Sequence, residues 1–177
     1  TICTPDDHDV FQGNLWGEGG VSNTMENWMK YYDSTGGFLE PPEMVNVVNK
    51  TQCSHLPDPW DPTPIEQGII PFYTDLVYGR ISFAIITDRI YKSGPHYAAT
   101  WEGRLDHLKT KLDNPRTLDR KGLDFLGARQ EEFLREWIRN WNGADMKTVL
   151  SQTIFTNAAT HHGAEKMFLA GDLDSGG

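Results

Sequence analysis

Apolar positions recur in this 177-residue chain with two different spacings, and each change of spacing marks a predicted change of element. From Ser22 or Asn23, either able to cap a helix, Met25, Trp28, Met29 and Tyr32 recur at i, i+3, i+4 and i+7. A helix to about Tyr32 is predicted, stopped by Ser34-Thr35-Gly36-Gly37. The stretch PPEMVNVVNKTQ places prolines where a helix starts and repeats Met44, Val47 and Val48 on one face. HLPDPWDPTP, with four prolines in ten residues, predicts irregular backbone.

The spacing then shifts. Segments 69–78 and 81–87 are dense in β-branched and aromatic residues, and Gly79-Arg80 between them predicts a hairpin. Residues 88–120 read as polar and irregular, with a short helix around 105–112. LGARQEEFLREWIRNW predicts the clearest helix, with Leu126, Phe133, Trp137, Ile138 and Trp141 on one face and Asn142-Gly143 as its stop. TVLSQTIF predicts a short buried strand. At the other end, residues 1–4 read as the tail of a buried strand ended by Pro5, and 6–20 as a glycine-rich loop. Strand, helices, paired strands, helix and strand make a layered α/β pattern.

Composition narrows the function class. A net charge of −9 and a pI near 5.0 argue against a nucleic-acid surface, which needs clustered Lys and Arg. The same balance leaves phosphorylated small substrates open, because a bound cation supplies positive charge locally. No apolar run approaches the roughly 20 residues that span a bilayer. Cys3 and Cys53 lack metal-type spacing, and Cys53 reads as a small apolar residue on a helix. The absent initiator Met and the unfinished ends predict an internal segment of a longer chain.

In α/β layers, chemistry collects in loops that follow the carboxyl ends of strands. Three segments qualify. Asp6-Asp7-His8-Asp9 crowds three carboxylates around one imidazole. It reads either as a turn or as a hard-cation site, since carboxylate and imidazole suit Mn, Fe, Zn or Mg-type ions. His8 beside such an ion is a candidate proton donor, and Asn14 lies in the same loop. Asp88-Arg89 with Lys92 follows the second predicted strand. It reads as a structural ion pair, or as Arg89 and Lys92 meeting a phosphate oxygen. Gln152 lies on the last predicted strand and Asn157, His161 and His162 follow it, the adjacent histidines reading as exposed loop residues. His55, His96 and His107 have no evident partners, and Asp172, Asp174 and Ser175 form only a weak carboxylate loop. Motifs of the GxSxG, GxxxxGK and HExxH types are missing.

Five phrases together, PDDHDVFQGNLWGEGG, QCSHLPDPWDPTPIEQGI, YGRISFAIITDRIYKSGP, LGARQEEFLREWIRNW and VLSQTIFTNAATHHG, resemble the alkaline phosphatase D (PhoD-like) family. The likeness runs in order along nearly the whole chain, toward the family's bacterial exported branch within the calcineurin-like metallophosphoesterases. It implies two sheets packed face to face with helices outside (αββα layers), and two or more metal ions of Fe, Mn, Zn or Ca type. It also implies hydrolysis of a small phosphate mono- or diester and a periplasmic or extracellular location. By resemblance, Asp7 takes a metal-ligand position with Asp6 and Asn14 as further candidates, His8 the proton-donor position, and Asp9 orients His8. Arg89, Lys92 and Gln152 become candidate substrate-binding residues.

Asp6 stands where the superfamily has a small glycine, and Gln152 where many members have a metal-binding histidine. The blocks that complete the family's metal site before and after this segment are missing from residues 1–177. The expectation is therefore one partial PhoD-like domain over 1–177, with half a site and little metal binding or turnover on its own. The competing expectations are a non-catalytic metal- or ligand-binding module on the same fold and a calcium-stabilised structural domain.

Overall fold

A computed structural model of the chain describes residues 1–31, 35–97 and 120–153. Among these described residues one sheet has three strands in the order β1 (Thr74–Tyr78), β2 (Ile81–Ile85) and β3 (Met146–Leu150). β1 and β2 are antiparallel, with Tyr78 opposite Ile81, so only Gly79 and Arg80 make the turn. Both have positive φ (59° and 65°), the pairing whose twist matches adjoining strands. Arg80, unusual there for a residue with a side chain, is held by Asp145: its guanidinium bonds the carboxylate and its C=O accepts the Asp145 N–H at 2.7 Å.

β3 runs parallel to β2, with Ile81 beside Met146 and Ile85 beside Leu150. A parallel neighbour needs a crossover connection, and α4 (Ala128–Trp137) lies within it. α4 packs on the sheet face that carries Ser82: Trp137 donates its indole N–H to the Ser82 hydroxyl at 2.8 Å, and Lys147 sits over the Trp137 ring at 4.3 Å. Phe133 and Tyr73, almost fully buried, stack 5.5 Å apart beside Trp60 and Tyr91. Tyr73, Tyr91 and Phe133 belong to the buried core, and Trp60, 39% exposed, lies at its rim.

The α/β class is what the sequence pattern predicts, while several boundaries differ for physical reasons. The strand expected over 69–78 begins only at Thr74. Asn46 and Asn49 of α2 (Pro42–Cys53) take the Ile70 N–H at 2.8 Å and its C=O at 3.1 Å, and Pro71 has no N–H to give a ladder. Residues 1–4 are not a strand: Cys3 donates to His55 Nε2 at 3.1 Å instead of to a neighbouring chain. The strand predicted at TVLSQTIF starts earlier, at Met146, and is part-exposed, with Met146 and Val149 open. On α2 the buried face is Val45, Asn49 and Cys53, whereas Val47 is exposed. On α4, Ile138 and Trp141 are exposed, and Gln130 takes a core position with Phe133 and Trp137. α1 (Met25–Lys30) is capped by Thr24, whose hydroxyl accepts the Asn27 N–H, and buries no residue; Met25 and Met29 are open. Asp88–Tyr91, expected to be irregular, forms a short helix, α3. The helix expected at 105–112 lies outside the described residues.

The proline-rich stretch is irregular, as predicted, and is fastened by charge. Arg129 on α4 reaches the Asp61 carboxylate at 2.6 Å and the Thr63 C=O at 2.7 Å. Hydrogen bonds from Thr63 hold the Asp61 carboxyl below the usual carboxylate range, with help from Arg129. A depressed folded-state pKa gives stability that is present above the unfolded value of about 3.9 and is lost as pH falls through the folded value. Asp61→Asn should therefore flatten the acid limb of stability, measured as thermal midpoint from about pH 5 to about pH 3. An acid limb as steep as that of the unchanged chain would sink this assignment.

Candidate functional site

Because β2 and β3 are parallel, both finish at the same edge of the sheet, and the residues after each strand are delivered side by side. Thr87 and α3 follow β2; Ser151, Gln152 and Thr153 follow β3. Asp88, fully buried, joins the two by accepting the Gln152 N–H at 3.2 Å and the Thr153 N–H at 3.1 Å. Gln130 of α4 supports the same junction from below, accepting the Thr87 N–H at 2.6 Å while donating to the Leu126 C=O at 2.9 Å. A polar residue in the Leu126, Phe133, Trp137 stripe was the sequence signal for this role.

The acidic loop is brought to that edge from the amino-terminal side. The Gln152 amide donates to the Pro5 C=O, and Arg89, 6% exposed, places Nη1 3.0 Å from Asp6 Oδ1 and 3.1 Å from Asp7 Oδ1. Gly17 donates to the Arg89 C=O at 2.8 Å, and a Cβ at Gly17 would lie 2.3 Å from the Ile90 carbonyl oxygen. Only glycine permits this approach of the loop to α3. Gln12, buried, donates to the Gly37 C=O at 3.2 Å and accepts the Leu39 N–H at 3.1 Å, which fixes the far side of the loop.

Within the loop, His8–Val10 forms one 3₁₀ turn. Asp7 is 2% exposed, whereas the His8 side chain is 80% exposed, with Nδ1 3.3 Å from Asp7 Oδ1. Asp9 accepts the Asp6 N–H at 2.8 Å and so closes the turn. The group that meets the imidazole is Asp7, rather than the Asp9 expected to orient it. Burial pushes the Asp6 carboxyl up, but hydrogen bonding from Asp7 and the Arg89 charge outweigh this and hold it below its usual range. Donor atoms of Asp6, Asp7 and His8 all lie within 4.8 Å of one another. Two carboxylates and an imidazole are a suitable partial shell for a hard or borderline cation.

The remaining predicted residues divide. Arg89, read as an ion-pair partner or a phosphate contact, has its guanidinium on the Asp6 and Asp7 carboxylates. Lys92, also buried, bonds the Thr153 hydroxyl at 3.0 Å and lies 4.4 Å from the Trp16 ring centre. Gln152 reaches the acidic loop through Pro5, and Asn14 is buried in that loop. His55 binds the Cys3 backbone, and His96 stacks near Tyr31. Asn157, His161, His162, His107 and the acidic group at 172–174 lie outside the described residues.

No family model and no curated protein matches the chain. The solved structure of PhoD is similar, with a TM-score of 0.54 and 17% sequence identity. The similarity covers 97% of this chain and 28% of that one, so the chain spans little more than a quarter of its length. At this identity the likeness is one of fold: the described sheet and helices match a portion of the PhoD architecture.

Proposed function

We propose that the chain is part of a metal-dependent phosphoric ester hydrolase of the alkaline phosphatase or phosphodiesterase type, working outside the cytoplasm on a small phosphate ester. The observation that carries this reading is the gathering of Asp6, Asp7 and His8 at the common end of β2 and β3. The fold likeness to PhoD and the motif resemblance support it. No described helix is long and apolar enough to cross a membrane.

Asp6 and Asp7 would hold a cation of Mn, Fe, Zn or Ca type, with Asn14 as a further oxygen donor; the motif resemblance implies two or more ions. Bound there, such an ion supplies Lewis-acid polarisation of a phosphoryl oxygen and a more acidic water. His8, outward-facing and steadied by Asp7, would deliver a proton to the departing ester oxygen. Arg89 keeps the two carboxylates in one orientation, and Asp88 locks the strand ends that carry it. Lys92 and Gln152 brace the same edge, through Thr153 and Pro5.

The second reading is a non-catalytic module on the same frame. It is favoured by Arg89, whose guanidinium already neutralises the two carboxylates that a cation would use. Hydrolysis of an aryl phosphate ester by the full-length protein, with and without Mn²⁺, separates the two. His8→Ala should lower kcat by about 10²-fold with KM little changed. Unchanged turnover in that variant, or no hydrolysis with any divalent ion, overturns the enzyme reading.

A further inference from the structure

The chain has two cysteines, Cys3 and Cys53, and the fold brings them together across 50 residues of sequence. Cys53 is the last residue of α2 and is 8% exposed; Cys3 is exposed. Both backbone polar groups of Cys3 meet the end of α2 or the turn that follows it. Its N–H donates to His55 Nε2 at 3.1 Å, and its C=O lies 3.8 Å from Cys53 Sγ, which donates to it. Each thiol is free, Cys3 is open to solvent, and the Cys53 sulfur already lies against the Cys3 backbone.

We propose that Cys3 and Cys53 form a disulfide that staples the strand-less amino-terminal segment to α2, in exchange with a low-molecular-weight disulfide. Burial, and after it the nearby Cys3, pushes the Cys53 thiol up to about 12, so Cys53 stays protonated and Cys3 reacts first. The Cys3 thiolate attacks one sulfur of oxidised glutathione, forming a mixed disulfide and releasing one glutathione thiolate. Cys53 then gives its proton to solvent base, and its thiolate attacks Cys3 Sγ and releases the second glutathione. Two protein thiols are oxidised and one glutathione disulfide is reduced to two glutathiones. The protons lost by the two cysteines end on the two leaving thiolates.

The bridge would close a ring containing Asp6, Asp7, His8, α1 and α2, and so fix the segment from which the acidic loop departs. It rests on the placement of two thiols and is independent of the hydrolase reading. Such bridges persist in oxidising compartments.

The test is to treat the reduced full chain with oxidised glutathione and follow intact mass and free thiols after denaturation. The expected product is a monomer about 2 Da lighter than the reduced chain, with no free thiol, whose thermal midpoint lies above that of the reduced form. In Cys3→Ser, Cys53 should stay free about tenfold longer than Cys3 does in Cys53→Ala. A persistent glutathione adduct on Cys3, disulfide-linked dimers or two surviving thiols would each overturn the proposal. Equal reactivity of the two single-cysteine variants would do the same.

Discussion

Replacing Arg89 by Ala is expected to destabilise the fold by about 3–5 kcal/mol, the usual loss when one partner of a buried ion pair is removed. Asp7, 2% exposed, sits where water cannot replace the guanidinium, and Asp6 stands beside it. Asp6, with a 54% exposed side chain, adds less, because solvent screens it. Chemical denaturation read at neutral pH gives the number, and a loss below about 1 kcal/mol would remove the clamp from the account. A second measurement ties the clamp to the cation. Millimolar Mn²⁺ should raise the thermal midpoint of Arg89→Ala more than that of the unchanged chain, since an ion can stand where the guanidinium stood. Equal shifts would detach the carboxylates from any ion.

Asp88→Ala should cost a similar amount, about 3–5 kcal/mol, by a different route. The fully buried carboxylate accepts two backbone N–H groups, and its loss strips both of their partner inside the fold. Asp88→Asn retains one acceptor oxygen and should lose roughly half as much. Hydrogen exchange localises the effect: the Gln152 and Thr153 amides should exchange much faster, while the β1–β2 amides stay protected. Unchanged exchange at those two amides would show that Asp88 does not join the strand ends.

Part of this was legible in the sequence because it is local. The Gly79-Arg80 turn, the proline-rich irregular stretch and the helix around Phe133 and Trp137 each announce themselves within a short window. The segments after β2 and β3 meet at Asp88, Gln152 and Thr153 because these strands are parallel. The acidic loop joins them without following a strand, held by Arg89 and Gln152. What could not be read is which partner each polar group finds. The sequence leaves Arg89 and Lys92 open between a structural ion pair and a phosphate contact. Only the fold shows their partners inside the protein, Asp6 and Asp7 for Arg89 and Thr153 and Trp16 for Lys92. Asn46 and Asn49 look like ordinary exposed helix residues, but they end a strand before it starts by taking the backbone groups of Ile70. The Met25–Met29 stripe has core periodicity and stays open, because periodicity says which residues share a face and not what covers it.

The order of folding follows from the parallel pairing of β2 with β3. The hairpin closes over two residues and belongs to the microsecond class of events. The contact from Gln152 to Pro5 spans 147 positions, and the Asp88 bonds to Gln152 and Thr153 span 64 and 65. Closing loops of that size costs entropy before any contact returns it, so the acidic edge should assemble after the hairpin. A nascent chain lacking β3 would hold a finished hairpin and an unfinished edge, and whatever chemistry resides there waits for β3.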